Sequence, residues 1–279
     1  MFFIVALVLS LSNTIGYHRL LSHRAFKTSP FVRSTFTLLA ALSAGSPLLW
    51  VGVHRIHHVF SDRPGDVHST KDGFFYAHSG WLFNTKNPLL AILLAVSGFG
   101  LQIRYLLTDL QRITGKTLPF WRKTCRDLMR EPLMRTLDIP LVIPGLFALQ
   151  VAVAWWIGEW WGIAWLWAMH VVQNNASWVV NSICHWPSIG SASKESRDLS
   201  RDVPWLSWLT NGDSYHNSHH RFPGSAKHAA FGGMDLSWLV ICLLARVGLA
   251  SEVKLPLGIE APGWMSERGL VLRVPGAVG

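Results

Sequence analysis

IPLVIPGLFALQVAVAWWIG, residues 139–158, and WWGIAWLWAMHVVQNNASWVVN, residues 160–181, stand back to back with only Glu159 between them. Each has the roughly 20 uncharged residues needed to cross a hydrocarbon core about 30 Å thick. Glu159 is the sole formal charge between Asp138 and Lys194, so the pair reads as a spanning helical hairpin with a minimal turn. The preceding stretch, 104–135, holds eight Lys and Arg: Arg104, Arg112, Lys116, Arg122, Lys123, Arg126, Arg130 and Arg135. By the positive-inside rule both ends of the hairpin lie in the cytoplasm and its tip outside, where Trp155, Trp156, Trp160 and Trp161 form an aromatic belt.

The whole composition agrees. Half of the 279 residues are hydrophobic and only 15% are charged; the mean hydropathy is +0.27. With 15 Trp, this excludes a disordered tail or a coiled coil. The net charge of +9 suits anionic lipid headgroups or substrates. It does not indicate nucleic acid, because the basic residues are not clustered with stacking aromatics. Cys125, Cys184 and Cys242 are odd in number and far apart, which leaves no disulfide framework or CxxC site.

Residues 2–17 form a third candidate span. They have no basic residues ahead of them and no small-residue cleavage site behind, so they read as a helix with a clipped start rather than a signal peptide. Arg19, Arg24, Lys27 and Arg33 place its C-terminal end inside. Residues 31–50 and 88–107 are also apolar, but a single crossing of either would split the histidines described next across the bilayer. They are assigned as interfacial or re-entrant, as is 231–249. The expectation is one all-α integral membrane domain over 1–279, helical throughout, with irregular loops at 62–87 and 187–204.

Of 13 histidines, nine fall in four clusters: His18-Arg-Leu-Leu-Ser-His23, His54-Arg-Ile-His57-His58, Asn181-Ser-Ile-Cys-His185 and His216-Asn-Ser-His219-His220. Helical positions i, i+3 and i+4 share a face, so His54, His57 and His58 converge, as do His216, His219 and His220, and Asn181 with His185. His18 and His23 are five apart and would diverge on a regular helix, which predicts that the helix ends or loosens between them. Imidazole suits iron, zinc, copper and nickel. Nine ligands are too many for one ion and suit two, with each His-His doublet giving one ring to each metal. Glu-x-x-His pairs of soluble di-iron bundles are missing, which makes the site all-nitrogen. Asp62, Asp66, Asp202 and Asp213 are candidate acceptors for the second ring nitrogens. His68, His78, His170 and His228 read as structural.

The boxes HRLLSH, HRIHH and HNSHH, with NSICH before the last, resemble those of the integral-membrane fatty acid desaturases, in particular the stearoyl-CoA (acyl-CoA delta-9) branch. His57-His58-Val-Phe-Ser-Asp and Gly73-Phe-Phe-Tyr-Ala-His-Ser-Gly-Trp81 resemble further family text, and the likeness runs from about Asn13 to Leu249. The resemblance implies two ferrous ions at the cytoplasmic face, held by His18, His23, His54, His57, His58, His185, His216, His219 and His220, with Asn181 reaching one through water. It also implies a tunnel for the acyl chain shaped by Trp50, Ser177 and Trp178, for which packing between membrane helices is the alternative. Where the family has Trp-Ala-Arg-Asp, this chain has Trp50-Val-Gly-Val53, so the pair that helps hold coenzyme A is replaced. Arg55, Arg63 and Lys71 are nearby substitutes for phosphate contact. The likeness begins at the family's second spanning helix, and the C-terminus carries no His-Pro-Gly-Gly haem-binding domain. Electrons are expected from a separate protein, a ferredoxin or a haem carrier with its reductase.

Removing two hydrogens from unactivated methylenes offers no acidic proton and no electrophilic carbon, so a cofactor with dioxygen must do the chemistry. The expected reaction is insertion of a cis double bond into a saturated acyl chain on coenzyme A or a lipid, at delta-9. Hydroxylation of an alkane, lipid or carotenoid on the same scaffold is the alternative. Metal transport is disfavoured, because the histidines gather at helix ends rather than at the centres of several spans.

Overall fold

The computed structural model describes residues 2–115 and 121–274; Lys116, counted in the basic stretch above, lies outside the described residues. The chain forms two compact units, Met1–Ser10 with Leu38–Ser182, and Leu11–Thr37 with Ile183–Gly279.

Among the described residues two helices are long and apolar enough to cross a membrane, Phe3–Ser22 and Val142–His185. The first is 20 residues long and passes the expected end at Tyr17, because from Ser12 to Ser22 the backbone continues in wider, π-helical turns. The second, 44 residues, is twice what a bilayer needs and is broken where expected. Gly158 (φ −152°, ψ 18°) and Glu159 (φ 48°, ψ −128°) leave helical geometry. A Cβ on Gly162 would strike the carbonyl oxygen of Ala154. Eight residues along one straight helix lie about 12 Å apart, so the chain turns back here and only glycine permits the approach. Trp156, Trp160 and Trp161 around the turn are 84%, 73% and 86% exposed. The expected start at Ile139 moves to Val142, because Pro140 is followed by Leu141 at φ +70°. At the far end the helix passes Asn181 to Ser182 and tightens into a 3-10 turn, Ile183–His185.

Neither 31–50 nor 88–107 is one helix. The first is Pro30–Ala44 followed by Pro47–Phe60, bent by 84°; the second is Pro88–Ser97 followed by Gly100–Ile113, bent by 98°. Gly45 (φ +75°) forms the first corner, where a Cβ would strike the Tyr105 ring. Ser46 then caps the next helix, its Oγ accepting from the Leu49 N–H at 3.3 Å, and Pro47 occupies the first turn. Gly98 (φ +71°) forms the second corner, and its carbonyl accepts from the Asn174 side chain at 3.1 Å. Within 231–249 only Leu236–Arg246 is helical, started by the Asp235 carboxylate accepting from the Trp238 N–H at 2.9 Å. Gly232 and Gly233 (φ +104° and +116°) keep the preceding residues in a turn.

Helix is not the whole content. Lys27–Thr28 pairs antiparallel with Ala250–Ser251, and Val253–Pro256 pairs parallel with Val271–Val274. Runs of two to four residues are too short for a period-2 pattern to stand out. In the first unit Leu82, Leu101, Tyr105, Leu137 and Trp178 share a buried core. In the second, Ile15, Phe26, Trp238, Ile241 and Leu255 form another.

Candidate metal centre

The second unit carries six of the nine clustered histidines, and they form two groups. His18 and His23 come together because i→i+5 hydrogen bonding stacks residues five apart. The His23 N–H donates to the His18 carbonyl at 3.2 Å, and the two rings lie 5.1 Å apart. The expected loosening of the helix is thus a whole π-helical stretch. His219, on the short helix His216–Arg221, faces this pair, with its ring 4.5 Å from His18 and 4.6 Å from His23. On the same helix His216 and His220 face the other way, 4.4 Å from each other and 4.9 and 5.2 Å from His185. The His219-His220 doublet is therefore divided between two triads, and each triad offers ring nitrogens that lie within 4.8 Å of one another. In the first unit the helix Pro47–Phe60 behaves similarly: His54 and His58 pair at 4.6 Å, while His57 turns to His68 at 4.4 Å.

Carboxylates fix three of these rings. His18 Nδ1 lies 2.8 Å from Asp213 Oδ2, His57 Nδ1 2.9 Å from Asp66 Oδ1, and His220 Nδ1 2.6 Å from Asp198 Oδ2. With Nδ1–H donated to a carboxylate, Nε2 keeps its lone pair for a metal. Burial alone would raise the Asp213 carboxyl, but His18 and then His228 hold it well below the usual carboxylate range. The same balance of burial against His57 lowers Asp66, and of burial against His220 lowers Asp198. Burial, aided by the positive field of Arg19, lowers His228 to about 4, so its ring is neutral. Two nitrogens bound at a right angle to one ion, each about 2.1 Å away, stand about 3.0 Å apart. His18 Nε2 and His219 Nε2 are 3.0 Å apart. The donor set fits a metal that accepts neutral imidazole.

The other two expected acceptors make bonds that brace the loops and helices around the rings. Asp202 accepts from the Ser218 N–H (2.9 Å) and Oγ (2.6 Å), fixing the helix that carries three histidines, and Asp62 accepts from the Ser69 hydroxyl at 3.0 Å. Asp198 was not anticipated, because it lies in the loop 187–204 at no helical spacing from His220. That loop is tied down by Asn217, which donates to the Ser196 and Ser200 hydroxyls and accepts from the Ser193 N–H. Arg19, inside the first box, was also missed. It is fully buried between Asp213 (3.2 Å) and Asp235 (2.9 Å) and donates to the Ala226 carbonyl at 3.0 Å. His68 and His228, read as structural from the sequence, touch the clusters directly, with the His228 ring 4.3 Å from His219.

Among the expected substrate residues, Trp50 stacks on His54 at 5.1 Å. Trp178 is buried in its unit's core and edge-on to His78, which is itself held by Asn175 and Ser182. Ser177 and Asn181 are half-buried on the same helix, Asn181 in its last turn. Gly52 and Val53 are buried packing positions. Arg55 is not available for phosphate: it forms a two-pronged pair with Asp127 at 2.7 and 2.9 Å and donates to the Thr124 carbonyl.

The sequence profile of the fatty acid desaturase family matches residues 1–230. The delta-9 desaturase-like 2 protein of Arabidopsis thaliana is 34% identical over 261 residues, covering 91% of this chain and 75% of its own length. An acyl-CoA 5-desaturase of Anemone leveillei is 34% identical over 248 residues, 88% of this chain and 67% of its own. The delta-9 acyl-lipid desaturase 1 of Arabidopsis thaliana is 32% identical over 264 residues, 91% of this chain and 74% of its own. With the profile covering most of the chain, and relatives of this identity matched over most of their length, the chain belongs to the fatty acid desaturase family and is an oxidoreductase of that kind.

Proposed function

We propose that this desaturase inserts a cis double bond at delta-9 of a saturated acyl chain, using two ferrous ions held by His18, His23, His54, His57, His58, His185, His216, His219 and His220, with Asn181 reaching one ion through water. The observation that carries this reading is the pair of imidazole triads in the second unit, with His219 in one and His220 in the other. The ions with dioxygen would supply the oxidant for two unactivated C–H bonds. Dioxygen accepts two electrons from the methylene pair and two from a separate donor protein, a ferredoxin or haem carrier, and leaves as two waters. The protein's own part is to orient the imidazoles through Asp213, Asp66 and Asp198, leaving Nε2 of each for the metal, and to place the chain, with Trp50, Ser177 and Trp178 as the residues proposed to line its path. The relatives support a fatty acyl substrate, and two of the three are named for delta-9 chemistry. Their names differ in carrier, coenzyme A for one and lipid for another. The buried Gly52-Val53 pair and the engaged Arg55 favour weak dependence on a coenzyme A headgroup. Metal analysis of protein purified from iron-replete cells should approach two irons per chain; a reproducible single zinc without iron would refute the proposal.

The chain is further proposed to be a multi-pass membrane protein with this centre on the cytoplasmic face. Only 11% of the most apolar 18-residue window of Val142–His185 is buried within the protein, so lipid is the natural cover for the rest. Single cysteines at Ser69 and Ser193 should react from the inside and one at Gly158 from the outside. Labelling of Ser69 from outside alone would overturn the re-entrant reading of 31–50.

A further inference from the structure

His228 lies eight residues beyond the last histidine box, and its side chain is fully buried. Nδ1 stands 3.1 Å from Asp213 Oδ1, on the carboxylate that holds His18 by its other oxygen, while Nε2 has no hydrogen-bond partner. The ring is 4.3 Å from that of His219 and 5.0 Å from that of His18. Its position is built rather than incidental. The His228 N–H donates to Asp235 Oδ2 at 2.8 Å, and Arg19 ties Asp235 to Asp213 and to the carbonyl of Ala226, two residues upstream. Buried polar groups in proteins are nearly always satisfied, and an imidazole nitrogen kept dry, as Nε2 is here, is costly unless its lone pair has another partner. Carboxylate on one side and an open nitrogen on the other is the setting of a metal-bound histidine.

We propose that His228 is a tenth histidine of the metal centre, bound through Nε2 to the ion held by His18, His23 and His219, with Asp213 as the acceptor shared with His18. This rests on the reading of the histidine clusters as a metal centre. Cobalt(II) is a suitable probe, because its visible bands report the number and type of ligands without any turnover. Chelator-treated protein in detergent should take up two cobalt ions. His228→Ala should bind one of them about 10-fold or more weakly, with altered bands that added imidazole restores. His228→Gln fills nearly the same volume and safeguards against a folding failure; it should show the same loss, and His170→Ala, a buried histidine of the first unit, should not. Wild-type affinity and bands in both His228 variants would overturn the proposal while leaving the metal centre intact. Wild-type protein that takes up neither cobalt nor iron would overturn the metal-centre reading itself.

Discussion

Arg19→Ala is expected to cost about 3–5 kcal/mol of stability, the effect of removing one partner from a buried charge network. The guanidinium has no exposure and stands between two carboxylates, Asp213 and Asp235, that are themselves nearly dry. Deleting it leaves both buried carboxylates without the cation that bridges them. Against a typical total of about 5–15 kcal/mol, this is a large share, and thermal unfolding in detergent should show it as a pronounced drop in the midpoint. Arg19→Lys should recover only part, because an ammonium cannot fork to two carboxylates and a carbonyl at once. A midpoint within a degree or two of wild type for Arg19→Ala would show that the network is not what holds this unit together.

The largest effect on activity is expected at His219. Its ring is the meeting point of His18, His23 and His228, so His219→Ala removes the ring that the whole group shares. Desaturation should fall by more than about 100-fold, beyond the 10–100-fold typical of losing only a group that orients a ligand. Asp198→Asn supplies that milder comparison. It leaves the volume unchanged but replaces the acceptor that fixes His220 Nδ1 at 2.6 Å, and should lie within that 10–100-fold band. Equal activities for the two variants, measured at equal iron content, would contradict the assignment of one as ligand and the other as its support.

The parts of this molecule that were legible in its sequence are those written in local periodicity. The hairpin is visible because a single charge, Glu159, interrupts some forty apolar residues, and the triads are half visible because i, i+3 and i+4 spacing puts His216, His219 and His220 on one short helix. The bend at Gly45-Ser46-Pro47 was written there too, as a left-handed glycine, a capping serine and a first-turn proline, but it lies inside an apolar run that reads as one segment. Pairing of His18 with His23 required π-helical winding, which no spacing rule for α-helices contains. The parts played by Asp198 and Arg19 could not be read at all. Asp198 acts on His220 from 22 residues away and Arg19 on Asp213 from 194, separations set by the tertiary fold alone.

The central claim, that this chain desaturates acyl chains at a histidine-held iron centre, is tested most directly by the products it makes. Cells that lack their own desaturase should be supplied with the wild-type chain or with His219→Ala at equal expression, and their fatty acids compared by gas chromatography with mass spectrometry. A cis monounsaturated chain with its double bond at carbon 9 is expected in the first case and none in the second. A hydroxylated chain in place of the alkene, or an identical unsaturated product from both, would contradict it.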